Sequence, residues 1–271
     1  MGQAQSLATA LALTGLVMAA SPVQAHEFWL EPQAFSVAAD FPIKADIRVG
    51  QDFKGDAFPF IPARFSAFKH HDRLGESEVT GTTGDLPALQ LVPRTEGLNI
   101  VTYVSVAERI RFRDWEKFAA YLDYEGLNRI AAHHDVRGLP RDDIRELYTR
   151  CAKTLVSVGG ETGDLDRATG MRLELVADER PQALAPGAQM GFTLLWDGQP
   201  LADTQVALFH RGKTGDDATR TLARTDASGL ARFTLAAEGT YLAASVHMTE
   251  APAGRNADWQ SYWASLTFAV E

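Results

Sequence analysis

The chain has 271 residues, 45% hydrophobic and 23% charged, with 26 Lys and Arg against 35 Asp and Glu and a single cysteine. That composition excludes a disordered chain, a collagen-like repeat and a multi-span membrane protein. The net charge of −9 argues against a nucleic-acid or anionic-membrane surface, and Cys151 alone closes no internal disulfide. The length suits one large or two modest domains.

Residues 1–25 carry no charge, and Leu7 to Ala20 is an almost continuous apolar and small-residue run ending before Ser21-Pro22. The run is shorter than the roughly 20 residues of a membrane span. With Val23-Gln24-Ala25 where a secretory peptidase cuts, it reads as a signal peptide, although Met1 to Gln5 lack the basic residue of an n-region. The expectation is export to the periplasm, with no membrane span left after cleavage. Cutting after Ala25 makes His26 the first residue, whose free amine and imidazole can chelate one metal ion together.

From Glu27 to Val106, short period-two runs (Ile43–Val49, Ala63–Phe68, Leu98–Val106) read as antiparallel sheet. Asp52 to Pro62 reads as an aromatic loop that packs on something. The period then changes. Phe112, Trp115, Phe118, Ala119 and Leu122 recur at three and four, as do Ile144, Leu147, Tyr148, Cys151 and Leu155, predicting two amphipathic helices with Pro140 starting the second. This helical insertion, about 108–158, is expected to cover a flank of the sheet, with Cys151 buried on its apolar stripe rather than acting as a nucleophile. After Gly159 to Gly163, seven strands are expected: Arg172–Ala177, Gln189–Trp196, Thr204–His210, Thr219–Thr225, Leu230–Leu235, Thr240–Met248 and Ser261–Val270. Turns such as Asp197-Gly198-Gln199-Pro200 and Asp226-Ala227-Ser228-Gly229 separate them, the pattern of a β-sandwich. The fold expected is mainly β: two Ig-like or transthyretin-like sandwiches, residues 26–178 with the helical insertion and 179–271.

Two stretches carry resemblances. Trp196 to Val206, Thr225 to Phe233 and Gly239-Thr240-Tyr241 resemble carboxypeptidase-regulatory-like sandwiches. His26-Glu27-Phe28-Trp29-Leu30-Glu31-Pro32, with Val246-His247-Met248 and Trp259 to Phe268, resemble a bacterial periplasmic family of unknown function (DUF4198-type) linked to nickel or cobalt uptake. In that family the mature protein opens with His and an aromatic residue. The resemblance implies an exported two-sandwich protein able to bind a divalent metal and serve a membrane transporter of that metal.

Seven histidines are present. His70-His71-Asp72 follows a predicted strand and His133-His134-Asp135 ends a helical segment; imidazole beside carboxylate suits zinc, nickel or copper. Each pair also reads as a solvated polar turn, and neighbours on a strand face opposite ways, so a pair offers one ligand. His247 lies on the face shared by Ala243 and Ser245, where a structural histidine is the simpler reading. The metal set expected is His26, His247 and His71, for nickel, cobalt, copper or zinc. Met248 could offer a thioether to copper, although strand methionines are usually core.

No Gly-x-Ser-x-Gly elbow, phosphate loop or His-Glu-x-x-His is present. Arg109 to Arg113 reads as a charged helix start rather than an anion site. The expected function is therefore non-catalytic metal binding. A metal-free structural or interaction module of the envelope is the alternative, and a copper-dependent oxidative enzyme a distant third.

Overall fold

The computed structural model describes residues 27–160, 163–214 and 217–271. Signal-peptide cleavage, His26 and Glu161-Thr162 lie outside them. Two-fold periodicity and β-branched residues make strands throughout the first half: β1 (Glu27–Pro32), β2 (Ser36–Val37), β3 (Ile43–Gln51), β4 (Lys54–Phe58), β5 (Phe65–Asp72), β6 (Gly75–Glu78), β7 (Leu89–Leu91), β8 (Gly97–Ser105) and β9 (Glu108–Phe112). Two helices follow, α1 (Trp115–Tyr124) and α2 (Asn128–Val136), and then β10 (Ile144–Val158). The second half comprises β11 (Leu173–Ala177), β12 (Gln189–Trp196), β13 (Gln199–Pro200), β14 (Gln205–Arg211), β15 (Thr219–Arg224), β16 (Leu230–Thr234), β17 (Gly239–Glu250) and β18 (Trp259–Val270).

Three β layers result. A central sheet runs β15-β14-β17-β18-β10-β8-β5-β6, with β2 and β9 also paired to β10. One face is covered by β1, β3, β4 and β7, the other by β11, β12, β13 and β16. Side chains alternate across β10: Ala152, Val156 and Val158 pack with Phe28, Leu30 and Phe68, whereas Leu155 packs with Leu173, Phe192 and Phe268. The mainly-β expectation is met, and the two sandwiches share their inner sheet. Trp29 and Phe53 extend the first core onto Phe209 and Leu242 of β14 and β17. Each fully buried Phe or Leu here stabilises the fold by about 1.5–3 kcal/mol.

The helices continue the outer layer beside β1, burying Phe118, Tyr121, Leu122 and Ile130 against Phe112, Ile144, Met248 and Trp259. Asp114 caps α1 by accepting from Lys117 N at 3.1 Å, and Gly126 follows it in the left-handed region at φ 68°. Among the described residues no helix is long and apolar enough to cross a membrane.

Ile144 to Leu155, expected as the second helix, is the first twelve residues of strand β10. Its three-and-four spacing is a coincidence of burial: β10 lies between β18, parallel, and β8 and β9, antiparallel, with both faces covered from Cys151 onward. A strand buried on both faces shows no two-residue alternation to read. Pro140 therefore begins a connection, not a helix, and α2 is closed by Gly138 at φ 65°. Cys151 is buried as expected, but on a strand. Asp52 to Pro62 packs inward through Phe53 and Phe60, yet its middle is strand β4 rather than loop. Arg109 and Arg111, read as a helix start, lie on strand β9.

Candidate functional site

The first residue of β1 meets the last turn of α1 over the central sheet, and a partly enclosed cavity with apolar as well as polar walls lies at that seam. Its lining includes Glu27, Tyr124, Glu125, Arg220, Ser245 and Ser265, and the space inside is about 20 Å³. That is room for one water-sized body.

Local rules place each group. Glu27 opens β1 opposite Gly50 of β3, and its side chain is only 6% exposed. Tyr124 ends α1 with its hydroxyl 3.3 Å from Glu27 Oε1 and 3.4 Å from Asp52 Oδ1. The Arg220 guanidinium stacks 3.9 Å from the Tyr124 ring and donates to Tyr124 O at 2.8 Å. Gln205 Nε2 donates to the same carbonyl at 2.9 Å, and its side chain would lie 2.7 Å from a Cβ at position 126. Glycine there is thus required twice, by conformation and by space.

The cavity's polar atoms are incompletely matched. Among the described residues, Glu27 Oε2, Arg220 Nε and Ser265 Oγ are buried without hydrogen-bond partners, an arrangement that costs free energy unless a guest supplies contacts. Burial pushes Glu27 up to about 7, with Asp52 adding repulsion. Glu125 is pushed up to about 8 by the protein packed around its carboxyl and by the nearby charge of Glu27. Two carboxyls that resist ionisation beside one guanidinium describe a site short of positive charge.

The sequence-predicted ligands are not all brought together. His71 lies on β5, buried, with Nε2 3.0 Å from Thr102 Oγ1. His247 lies on β17, half-buried, its ring 4.6 Å from that of Trp196, where it lines a separate cavity of about 480 Å³ with Leu127, Asn128 and Leu201. Three strands separate β5 from β17, so the two rings are on the order of 20 Å apart at the usual strand spacing. Burial holds the pKa of both below the usual range. Met248 is core, as expected of a strand methionine.

His70 and His134 are buried and structural, whereas His133 is exposed. His70 Nε2 is 2.6 Å from Asn99 Oδ1, beside the Asp72–Arg94 ion pair. His134 Nδ1 accepts from Trp259 Nε1 at 3.1 Å while its Nε2 reaches Pro140 O, pinning α2 to β18. His133 reaches Glu250 at 2.9 Å on the surface. Among the described residues, no three His, Cys, Asp or Glu side chains stand close enough to hold a metal ion by themselves.

A third carboxyl raised by burial sits nearby. Glu146 of β10 accepts from Tyr121 Oη at 3.1 Å and from Ser261 Oγ, which in turn accepts from Trp263 Nε1 at 2.9 Å. Glu146 Oε2 has no hydrogen-bond partner among the described residues, and burial pushes this carboxyl up to about 7. Sequence reasoning missed Glu27, Glu125 and Glu146. Glu125 directly before Gly126 at a helix end was the one signal available.

A family model described as "Domain of unknown function (DUF4198)" matches residues 23–249. No individually curated protein matches the chain. Among solved structures, a "tetra-tandem repeat in extending region of large adhesion protein" matches at 14% identity over 90% of this chain and 49% of that one, with a TM-score of 0.22. The chain spans about half the length of that structure, and a likeness so slight carries no argument.

Proposed function

The chain belongs to the family of the domain of unknown function DUF4198, and on that footing we propose that it is an exported, periplasmic, non-catalytic protein that binds a divalent transition metal at the seam between β1 and α1. The observation that carries the proposal is Glu27 Oε2, a buried carboxylate oxygen without a hydrogen-bond partner among the described residues, on a side chain that lines, with Glu125, a cavity with room for one water-sized body. Glu27 directly follows His26. The described carboxylates cannot complete a site alone. The amine and imidazole of His26, freed by cleavage after Ala25, would supply the missing donors, and nitrogen with carboxylate oxygen suits nickel, cobalt, copper or zinc.

Within this account Arg220 balances the acidic pair when no ion is present, and Tyr124 orients Glu27. The bound metal supplies a positive charge and an exchangeable cargo, consistent with the resemblance of the chain's ends to proteins linked to nickel and cobalt uptake. A membrane transporter would be the recipient. His26 with Glu27 and Glu125 replaces the three-histidine set, because His71 and His247 lie too far apart to share one ion.

Calorimetric titration of the exported protein with nickel, cobalt, copper and zinc tests the proposal. One ion per chain is expected, with affinity at least tenfold weaker in His26→Ala and in Glu27→Gln. Identical isotherms would refute it.

A metal-free envelope module is the second reading. It is favoured by the central sheet being covered on both faces and by the complete burial of Trp29 and Trp259, which makes a rigid platform. Metal-independent thermal stability together with a captured envelope partner would support it.

A further inference from the structure

On the open face of the β9–β10 ribbon, three arginines converge. Arg111 is directly opposite Arg145 in the antiparallel register, and Arg109 is opposite Leu147, two residues along. Alternation along both strands therefore sets the three side chains on one face, and all three residues are exposed. They line an open cavity of about 470 Å³ together with Asp143, Glu146 and Asn256.

The acceptors present are too few for these donors. Arg109 Nη1 donates to Asn256 O at 3.1 Å, and Arg145 donates to Asn256 Oδ1 at 2.5 Å and to Asp143 Oδ2 at 3.2 Å. Arg111 pairs with the same Asp143. One carboxylate thus serves two guanidiniums, and the backbone and side-chain carbonyls of Asn256 serve the rest, whereas each guanidinium carries five N–H donors. The other acids nearby are engaged. Asp258 accepts from the backbone N of Arg145, and Glu146 turns its carboxyl to Tyr121 and Ser261 on the opposite face of β10. Asp143 and Asn256 hold left-handed backbones at φ 57° and 50°, placing their side chains beside the arginines. In a chain of net charge −9, the three arginines outnumber the carboxylates of Asp143 and Asp258 beside them, leaving this face net positive.

We propose that this cavity binds an organic phosphate. Converging guanidinium forks match the several oxygens of a phosphate dianion better than a single carboxylate, and the volume exceeds what a bare ion fills, leaving room for the organic group it is attached to. The acidic remainder of the protein repels anions at longer range, so affinity must come from direct contact and fall as salt rises.

The test uses the full exported protein with two probes, glycerol phosphate in solution and phosphatidic acid in phosphatidylcholine vesicles. Saturable binding of glycerol phosphate identifies a free organophosphate; vesicle binding without it identifies a lipid headgroup. Either is expected to weaken at least tenfold in the double variant Arg111→Gln/Arg145→Gln. Arg109→Gln leaves the pairs with Asp143 intact and should weaken binding severalfold without moving the unfolding midpoint. Absence of binding to both probes, or binding unchanged in the variants, overturns the proposal.

Discussion

Replacing Glu146 with Gln should flatten the pH dependence of stability. Glu146 is 1% exposed, its Oε2 is unpartnered, and burial raises it from 4.5 to about 7. Below pH 4.5 the carboxyl is protonated in both the folded and the unfolded chain, so it costs nothing. As pH rises through 4.5 the unfolded chain ionises while the folded one holds its proton, and stability falls until the folded group also ionises near 7. At 1.36 kcal/mol per pKa unit, that loss amounts to about 3 kcal/mol by pH 8. Gln keeps the Oε1 acceptor for Tyr121 and Ser261 but buries an amide where Oε2 was, a pH-independent cost of about 1–3 kcal/mol. The readout is therefore the shape of the curve. Urea unfolding from pH 4 to 8.5 should show the wild type losing about 3 kcal/mol more than Glu146→Gln between pH 4.5 and 8. Parallel curves would refute the assignment of a raised carboxyl to Glu146.

Lys153 is fully buried, with Nζ 2.6 Å from Glu174 Oε1 and 3.3 Å from Asp166 Oδ1. Lys153→Met should therefore cost about 3–5 kcal/mol in urea unfolding, since two buried carboxylates lose their cation. Cys151 is buried and its thiol is pushed up to about 12, so a disulfide-exchange reagent at pH 8 should label it only on unfolding, and rapid labelling of the folded protein would contradict its burial.

The second half of the fold was legible because its strands sit between well-marked turns. Gln189–Trp196 was read to the residue, and Thr219 and Leu230 were read correctly as starts of strands. β10 was not legible, since burial on both faces erases alternation from Cys151 onward, and before it the buried Ile144 and Leu147 fall at a helix-like spacing. That one misreading hid two sites. With Arg145 placed on a helix, Arg109 and Arg111 had no third arginine; with β10 unplaced, nothing brought Glu146 to Tyr121. The candidate metal site was legible only in part. His26 and Glu27 adjoin in sequence, but Glu125 is brought to Glu27 by the packing of a helix end 98 positions later, a proximity that no local pattern encodes.

The measurement closest to the central claim is the metal stoichiometry and affinity of the exported protein beginning at His26, compared with the Glu27→Gln variant. The account predicts one divalent ion per wild-type chain and at least tenfold weaker binding when Glu27 loses its charge. Equal affinity in the two, or no saturable binding by the wild type, would contradict it.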